Sequence, residues 1–508
     1  SIQDFLMESA LFKRSSLRMA RGGCGKWTAI SKKGSVVGQA GSGLGGGMQG
    51  GLEGWWTSPE IMTRILIFIR HVLDPKVSEE DLKAETKGHV RISVFRLGGK
   101  LPTVHRVFFT SIMMHRRHFL TSVSAAGIAL QGLPLLGQKS TKKYRTALIG
   151  AGWWGMNLLR EAMASGRITV CALCDADDTV LENDFENVKS DSGDQPKLYK
   201  DYREMLEKEK PEICIIASPD HWHALQTIAC VKAGAHVLVE KPTGHTINES
   251  RAMVHAARDS GVVVQVGLHR RIGPHHVAAM DFLRSGKVGK VGMVRAFAHS
   301  KGGPELPKPN SAPPKSMDWE MWCGPAPMRP FNSKIHPGGW RNFLDYANGT
   351  MGDWGVHWLD QILWWSGEKG PKKVFCTGGR PIFGAPVLND QEQTTDAPDH
   401  QLAVFEFEQF TATWEHRRFG DNNNEKHKIG TYFYGEKGVL HIGWRDGWTF
   451  YPVNPKDAQS HGDHQLQEPD GHNIALLWEN FIQAIETGSK PVADIESAHR
   501  SSCLPMWE

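Results

Sequence analysis

The chain has 508 residues, of which 40% are apolar and 22% are charged, and these proportions are typical of a globular protein with two or three domains. Its formal net charge of +4 is unevenly spread, because the first 113 residues carry an excess of seven basic side chains and the remainder an excess of three acidic ones. This balance argues against a nucleic-acid-binding surface. Eight cysteines are too few for a disulfide framework, and no apolar run reaches the roughly 18 residues that a membrane-spanning helix needs.

Residues 1–113 show no sustained strand or helix period that would join their apolar pieces into one core. They include a glycine-rich stretch without a repeat, Gly38–Trp56. We interpret them as disordered or spurious sequence upstream of the working protein, with Met113 or Met114 as its start. A flexible extra domain is the alternative.

Residues 114–139 begin MHRRHFL and continue as a moderately apolar stretch of small residues. The pair Arg116 and Arg117 before this stretch resembles a twin-arginine export signal. The usual flanking Ser and Lys are replaced by His115 and Thr121, and no A-x-A cleavage site follows. The resemblance predicts export of the folded protein to the periplasm. The alternative is a chance arginine pair before an apolar helix, in a cytoplasmic protein.

A glycine-rich turn follows the short apolar run Thr146–Ile149 and precedes a helical pattern. In a G-x-G-x-x-G turn the first glycine permits a tight bend, the second admits a pyrophosphate to the backbone, and the third lets helix and strand pack closely. The phosphates would bind free N–H groups at the positive end of the helix. We therefore expect cofactor contacts from the residues of this turn, Gly150, Ala151, Gly152, Trp153, Trp154 and Gly155.

A second predicted strand, ITVCALCD, ends at Asp175, twenty residues after Gly155. An acidic side chain at this distance bonds the ribose hydroxyls of NAD and repels a 2′-phosphate, so we expect NAD rather than NADP. Cys171 and Cys174 in this strand have CxxC spacing, but a buried strand cannot offer both thiols to one site, and we expect no metal there. Apolar runs then alternate with amphipathic helices, which predicts a parallel sheet and a Rossmann domain over residues 140–266.

Two longer stretches, ASPDHWHALQTIACVKAGAHVLVEKP and GTMGDWGVHWLD, resemble the Gfo/Idh/MocA family, that is, glucose–fructose oxidoreductase, inositol dehydrogenase and their relatives. The resemblance covers about residues 143–500. It implies an α/β protein with an N-terminal Rossmann domain and, over residues 267–508, a C-terminal α+β domain with a large, mostly antiparallel open sheet. It also implies cofactor contacts from Ser218, Pro219, Asp220, His223, Glu240 and Lys241.

The candidate catalytic residues are Lys241, Asp353 and His357. Removing a hydroxyl proton during hydride transfer requires a base within hydrogen-bond reach. Lys241 ends a predicted strand at the carboxyl edge of the sheet, where open α/β sheets bind ligands, and the spacing of Asp353 and His357 predicts one helix face. The resemblance implies that Lys241 polarises the substrate oxygen and His357 takes the proton, while Asp353 orients the substrate or holds the imidazole. Asp353 and His357 are thus also expected to contact substrate, and Glu240 to support the site.

Residues 301–340 contain nine prolines, and a loop of this length in a compact domain is usually functional. It ends at Trp340 and Arg341, which are candidate substrate contacts, with Trp340 stacking on a sugar face. Arg271 is a third candidate, and a surface salt bridge is its alternative role.

The later segments HQLAVFEFEQFTATWEHRR and IGTYFYGEKGVLHIG alternate apolar and polar residues as half-buried antiparallel strands do. HNIALLWENFIQAIETG follows as an amphipathic helix. Because relatives continue beyond the final SSCLPMWE, we expect a truncated C-terminus. The resemblance implies a homo-oligomer formed through the C-terminal sheet.

These features predict an NAD(P)-dependent oxidoreductase that acts on the CH–OH group of a sugar, polyol or glycoside by hydride transfer to nicotinamide. An exported enzyme has no soluble NAD pool, so a tightly bound, recycled cofactor is expected. The first alternative is an NAD-dependent glycoside hydrolase that works by oxidation, elimination, addition and reduction. The second is a non-catalytic ligand-binding relative.

Overall fold

The computed structural model describes residues 142–422, 424–465 and 471–506, together with three short strands nearer the start of the chain. These strands form an antiparallel sheet in the order β1-β2-β3, inside a first compact unit, Ser1–Lys139. Sequence analysis assigned no element there. Their bounds are β1 (Arg18–Gly22), β2 (Lys26–Ile30) and β3 (Val36–Ala40). The predicted export signal at 114–139 lies outside the described residues.

The second compact unit, Ser140–Glu508, begins with a six-stranded parallel sheet in the order β6-β5-β4-β7-β8-β9. Its central strands are continuous apolar runs because helices cover both faces, and all four residues of β7 are buried. The strands are β4 (Tyr144–Ile149), β5 (Ile168–Cys174), β6 (Lys197–Tyr199), β7 (Ile213–Ile216), β8 (His236–Val239) and β9 (Val264–Val266).

Five helices connect these strands, and several begin at a residue whose side chain bonds the first turn. Asp177 accepts a hydrogen bond from Thr179 N at the start of α2, and Thr246 forms a reciprocal capping box with Glu249 at the start of α5. The helices are α1 (Trp153–Ala164), α2 (Asp178–Ser192), α3 (Tyr202–Glu209), α4 (Asp220–Lys232) and α5 (Ile247–Ser260).

A second sheet has eight strands in the order β12-β14-β15-β10-β16-β17-β18-β19. All neighbours are antiparallel except β10 and β15, which are parallel. This is the large, mostly antiparallel sheet that was expected. The strands are β10 (Val291–His299), β12 (Lys373–Gly379), β14 (His400–Glu406), β15 (Thr411–Arg417), β16 (Ile429–Gly435), β17 (Gly438–Ile442), β18 (Trp448–Pro452) and β19 (Ser460–Gly462).

The proline-rich loop, residues 301–340, covers the carboxyl edge of the six-stranded parallel sheet. It contains α7 (Trp319–Cys323) and a short strand, β11 (Lys308–Pro309), which pairs with β13 (Glu392–Gln393). Asp318 N donates to Ala176 O at 2.8 Å, and Trp222 Nε1 donates to the Trp322 carbonyl at 3.0 Å. These bonds fix the loop against the Rossmann helices, so the segment is an ordered wall.

The remaining helices are α6 (Pro274–Arg284), α8 (Val356–Ser366), α9 (Gly471–Thr487) and α10 (Ile495–Cys503). Sequence analysis assigned α9 and α10 to the C-terminal domain, residues 267–508, but both pack against the Rossmann domain. Leu477, Trp478 and Phe481 of α9 are buried in the same apolar cluster as the parallel strands. The chain thus returns to the first core at its end, because the apolar face of α9 covers α1. Among the described residues, no helix combines the length and apolar character that a membrane span requires.

Candidate active site

A cavity of about 460 Å³ lies at the carboxyl edge of the parallel sheet. Its wall combines the glycine-rich turn, the end of β5, the start of α4 and the proline-rich loop. Predicted cofactor residues that line it are Gly150, Gly152, Trp153, Trp154, Asp175, Ser218 and Pro219. The location and size suit a dinucleotide, since ligand cavities of this kind span about 300–1,000 Å³.

Each of the three glycines of the turn is required at its position for a different structural reason. Gly150 has φ +84°, and a side chain there would meet Ser218 N at 2.5 Å. A Cβ on Gly155 would lie 2.0 Å from the Gly150 carbonyl oxygen, so this glycine sets the distance between α1 and β4. Gly152 has open space on its side-chain side, which leaves the backbone at the start of α1 accessible to a pyrophosphate. The turn therefore fits the expected cofactor.

Asp175 lies at the end of β5 and faces this cavity. Its two carboxylate oxygens accept hydrogen bonds from Ala151 N at 2.9 Å and Asp177 N at 3.1 Å. Burial nevertheless raises the pKa of Asp175 to about 6, although these two backbone bonds act to lower it. Ala151 itself does not line the cavity, and it serves instead to orient the carboxylate.

Lys241 and Asp353 form the central ion pair of the site. Lys241 Nζ lies 2.6 Å from Asp353 Oδ1 and 3.0 Å from the Asp353 carbonyl oxygen. Arg341 Nε adds a second positive group at 3.6 Å from Oδ1. Burial raises the pKa of Asp353, but the charges of Lys241 and Arg341 outweigh it and hold the pKa below its usual value. Sequence analysis expected Asp353 to orient the substrate or to hold the imidazole, and the structure pairs its carboxylate with Lys241 instead.

A π-helical turn, Met351–Gly355, carries Asp353, and α8 then begins at Val356. Single π turns inside helices are rare and occur frequently at functional sites. The four-residue spacing from Asp353 to His357 thus crosses a change of helix type, where one continuous α-helix was expected. The wider turn directs Asp353 to the lysine at the end of β8.

His357 is buried beside the pair, with its ring centre 5.4 Å from that of His269. Burial, followed by the charges of Arg270 and Lys241, holds the pKa of His357 well below its usual value. The imidazole is therefore neutral at physiological pH. A neutral ring next to an ammonium group is the protonation state that a base needs before it accepts a proton.

Asp220 is the first residue of α4 and is almost fully buried. Burial raises its pKa to about 8, since the attraction of Lys241 is opposed by repulsion from Asp353. This carboxyl is consequently protonated at neutral pH. It lies near the Lys241–Asp353 ion pair and does not line the cavity of about 460 Å³, which we call the cofactor cavity.

His223 and Glu240 are buried next to residues of the site and do not line the cavity themselves. The ring nitrogens of His223 lie 2.7 Å and 2.8 Å from the carbonyl oxygens of Pro242 and Ser218, so this side chain ties the ends of β7 and β8 together. Burial lowers the pKa of His223 to about 4. Glu240 Oε2 accepts a bond from Lys241 N at 3.1 Å. Neither residue lines the cofactor cavity, and both position residues that do the chemistry or form the wall.

Arg271 was expected to contact the substrate, but its side chain lies outside both cavities. Its Nε lies 3.0 Å and 2.9 Å from the two carboxylate oxygens of Asp360 on α8, and its Nη1 donates to the Ser497 hydroxyl at 3.1 Å. The guanidinium is committed to these partners because Asp360 is almost fully buried and needs a compensating charge. Arg271 lines neither of the two cavities described here.

A second cavity, of about 330 Å³, adjoins the Lys241–Asp353 ion pair and is lined in part by Asp353 and Arg341. Arg341 lines both cavities, whereas Trp340 lines only the cofactor cavity, under the Arg341 guanidinium at 4.2 Å. The tryptophans in the wall of the second cavity are Trp354 and Trp444, which sequence analysis did not single out.

Sequence reasoning also missed several residues of the cofactor cavity. They come from separate elements, and no spacing pattern joins them. They include Lys200, Tyr202, Trp222, Gln226, Trp322 and His336. The thiols of Cys171 and Cys174 are free and buried in β5, as the apolar strand pattern predicted.

Two family models match the chain. Residues 144–268 match the GFO_IDH_MocA model, described as an oxidoreductase family with an NAD-binding Rossmann fold, and residues 296–376 match its C-terminal alpha/beta domain. Rhizopine catabolism protein MocA from Rhizobium meliloti is 27% identical over 251 residues, 49% of this chain and 65% of that protein. A glycosyl hydrolase family 109 protein from Shewanella pealeana is 25% identical over 202 residues, 35% of this chain and 44% of that protein. The chain thus spans less than two thirds of the length of these relatives.

Solved structures share the fold at low identity. A levoglucosan dehydrogenase in complex with NADH and levoglucosan has a TM-score of 0.55 and 18% identity over 72% of this chain and 95% of that one. An aldose-aldose oxidoreductase from Caulobacter crescentus has a TM-score of 0.53 and 18% identity, with the same two coverages. The two domain models thus match in order on the Rossmann domain and the open antiparallel sheet, and residues 144–268 and 296–376 are similar to the Gfo/Idh/MocA family of oxidoreductases.

Proposed function

We propose that this chain is an NAD-dependent oxidoreductase that acts on a CH–OH group of a sugar, polyol or glycoside. The observation that carries the proposal is that the two cavities share Arg341, which lies beside the Lys241–Asp353 ion pair. Arg341 lines both cavities, and it approaches Asp353, which holds Lys241. A substrate in the second cavity would therefore contact Asp353 and Arg341, next to Lys241; Lys241 and His357 themselves line neither cavity.

The first cavity has the features that a nicotinamide dinucleotide requires. Gly152 leaves the start of α1 open for the pyrophosphate, and Asp175 faces the cavity where ribose hydroxyls would bond. The carboxylate favours NAD over NADP, because a 2′-phosphate would be repelled. When bound, the cofactor accepts a hydride from the substrate carbon.

The side chains of the site divide the proton chemistry between them. The Lys241 ammonium, held by Asp353, donates a hydrogen bond to the substrate oxygen and stabilises the negative charge that develops there. The neutral His357 imidazole accepts the hydroxyl proton. Arg341 holds Asp353 ionised, which keeps the ammonium in place.

Two named relatives favour a sugar-like substrate and leave the form of the reaction open. Levoglucosan dehydrogenase carries out oxidation of a sugar derivative, as its name states, and the relative from Shewanella pealeana is named a glycosyl hydrolase. In the hydrolase alternative, oxidation and later reduction on the same cofactor leave no net redox change. In a non-catalytic relative, retention of Lys241, Asp353 and His357 together would have no chemical purpose.

The first test identifies the bound nucleotide. The chain is purified without added cofactor, dialysed and denatured, and the released nucleotide is identified by mass spectrometry. Near-stoichiometric NAD supports a recycled cofactor, and an empty protein that binds added NAD supports an ordinary dehydrogenase. A protein that neither retains nor binds NAD contradicts the proposal.

The second test distinguishes the two reactions. The NAD-loaded chain is supplied with a panel of aldoses and polyols, and with nitrophenyl glycosides. Accumulation of NADH absorbance with a free sugar indicates a dehydrogenase. Release of nitrophenol without NADH accumulation indicates the hydrolase.

A homo-oligomer formed through the eight-stranded sheet is part of the proposal. One face of this sheet is buried, with Ala403, Phe405 and Trp414 inaccessible. The opposite face exposes Phe375 at 65% and Met293 at 42% of their surface. Large exposed apolar side chains on one flat face are a common feature of subunit contacts.

Export through the twin-arginine route is also proposed, from the pattern at Arg116 and Arg117. A fusion of residues 114–139 to a fluorescent reporter is expected to reach the periplasm of a bacterial host. Export should stop when both arginines are replaced by lysine. A reporter that stays in the cytoplasm with the original arginines would contradict export.

A further inference from the structure

Three potential metal ligands meet beside the second cavity, and neither the family match nor the proposed reaction uses them. His427 precedes β16, His441 lies on β17, and Asp446 lies in the turn between β17 and β18. Their ligand atoms all lie within 4.8 Å of one another. The two imidazoles are stacked, with ring centres 3.6 Å apart, and His427 Nδ1 lies 2.8 Å from Asp446 Oδ2.

The surroundings of His441 indicate that this cluster binds an ion. The residue is fully buried, and neither ring nitrogen has a hydrogen-bond partner of good geometry among the described residues, although the backbone of Ile429 lies close to the ring. Burying a polar group without a good partner destabilises the fold, and a bound ion would offset that cost.

We propose that His427, His441 and Asp446 bind a divalent metal ion of the Zn²⁺ class. Two imidazoles and one carboxylate suit Zn²⁺ and neighbouring first-row ions, whereas Mg²⁺ and Ca²⁺ prefer oxygen ligands. Three protein ligands leave a further coordination position for water. The site goes beyond the proposed oxidoreductase reaction and does not depend on it.

The ligands are joined to the wall of the second cavity through their chain neighbours. Lys428 and Ile429 follow His427 directly and line that cavity, and Trp444 precedes Asp446 by two residues and lines it as well. The Trp444 ring packs edge-on against Trp354, at 5.4 Å between centres, next to Asp353. A metal that ties the start of β16 to the β17–β18 turn would therefore hold Trp444 and Lys428 in place as a positioning element.

The test is metal binding by the full purified chain after chelation and dialysis. Zn²⁺ alone is titrated by calorimetry, and Co²⁺ alone is followed by its visible absorption, which reports on the ligands around it. One ion per chain is expected. Asp446→Asn, at an exposed position, and His427→Gln should each weaken binding by at least about tenfold, the loss that even outer-shell changes commonly produce.

His461→Gln is the matched control. His461 lies on β19 and pairs with a carboxylate, Asp463, at 3.0 Å, as His427 pairs with Asp446, but it does not belong to the cluster. Its substitution should leave Zn²⁺ affinity and the Co²⁺ spectrum unchanged. His441→Asn is a secondary variant, because a buried substitution also affects folding. Equal Zn²⁺ binding by the original chain, Asp446→Asn and His427→Gln, or no binding by the original chain, would overturn the proposal.

Discussion

At the scale of single residues, the ion pair makes Lys241 the most direct test of the mechanism. Lys241→Met keeps an unbranched side chain that is one atom shorter and removes the ammonium that Asp353 holds at 2.6 Å. We expect turnover to fall by about 10²–10⁴-fold, the usual contribution of a group that assists proton transfer. NAD affinity should change little, since Lys241 does not line the cofactor cavity. Steady-state kinetics and NAD titration measure the two effects separately.

Lys200→Met is the control for this variant. Lys200 lines the cofactor cavity and pairs with Asp178 at 2.7 Å, on the adenosine-binding side near Asp175. Its substitution should alter NAD affinity and leave the turnover of the saturated enzyme intact. Full turnover by Lys241→Met would show that the proposed chemistry is wrong.

The raised pKa of Asp175 predicts a pH dependence of cofactor binding. The folded-state pKa of about 6 lies above the ordinary value of 3.8, so the native carboxyl keeps its proton up to higher pH than the unfolded one does. The ionised form accepts stronger bonds from ribose hydroxyls. NAD affinity should therefore rise from pH 5 to pH 7 and level off above that.

Asp175→Asn provides the comparison, because an amide does not titrate. Its NAD affinity should be lower at pH 7 and flat between pH 5 and pH 7, as measured by calorimetry in buffers of constant ionic strength. A slope of the same size in both proteins would assign the titration to another group.

Sequence patterns identified candidate residues that belong to a motif with fixed spacing. They missed residues that only the folded chain brings together. The glycines and Asp175 could be identified because the chemistry of a dinucleotide fixes their spacing. Trp354 and Trp444 come together from different elements, so no spacing connects them. Arg271 was misplaced because its partner, Asp360, is 89 residues away.

At the scale of elements, the junction of β4 and α1 predicts a contrast between two glycines. A Cβ on Gly155 would lie 2.0 Å from a backbone oxygen, whereas a Cβ on Gly152 meets no atom within 4 Å. Gly155→Ala must separate helix from strand and should cost about 1–3 kcal/mol of unfolding free energy, as other overpacking substitutions do.

Gly152→Ala should leave the thermal midpoint nearly unchanged but weaken NAD binding, because the added methyl lies where the pyrophosphate approaches the backbone. Thermal unfolding of the cofactor-free proteins and NAD titration give the two measurements. Equal destabilisation by both substitutions would mean that packing at Gly155 is looser than these distances indicate.

The type of most elements followed from the sequence, but one local geometry did not. Continuous apolar runs such as ICII predict buried parallel strands because helices must cover both faces. The π turn at Met351–Gly355 was not predictable, since the spacing of Asp353 and His357 is compatible with either helix type. The turn carries Asp353, whose partner Lys241 is 112 residues away, so this contact is tertiary and no local spacing reveals it.

At the scale of the whole molecule, the division of the chain into consecutive domains was only partly predictable. The amphipathic pattern of α9 identified a helix with an apolar face but not the surface that this face covers. Gln265 Nε2 donates to the Leu477 carbonyl at 2.8 Å, and Trp478 Nε1 donates to Ser165 Oγ at 3.1 Å. These contacts join segments that are more than 200 residues apart, so the first core is complete only when the last helices are added.

The exposed face of the eight-stranded sheet gives the prediction that belongs to this scale. Phe375 pairs with Val404 across β12 and β14, and both side chains lie on the face opposite the buried Phe405. Phe375→Lys places a charge on this face and should dissociate an oligomer. Because 65% of Phe375 is exposed, the thermal midpoint of the separated subunit should not fall through loss of core packing.

Leu225→Lys is the matched control, since Leu225 is 47% exposed but lies on α4 of the Rossmann domain. Light scattering after size-exclusion chromatography should give a multiple of the chain mass for the original protein and Leu225→Lys, and a single chain mass for Phe375→Lys. An unchanged mass for Phe375→Lys would show that the subunits contact each other through another surface. A single chain mass for the original protein would mean that this apolar face remains in contact with water, and the catalytic pair would then function within one chain.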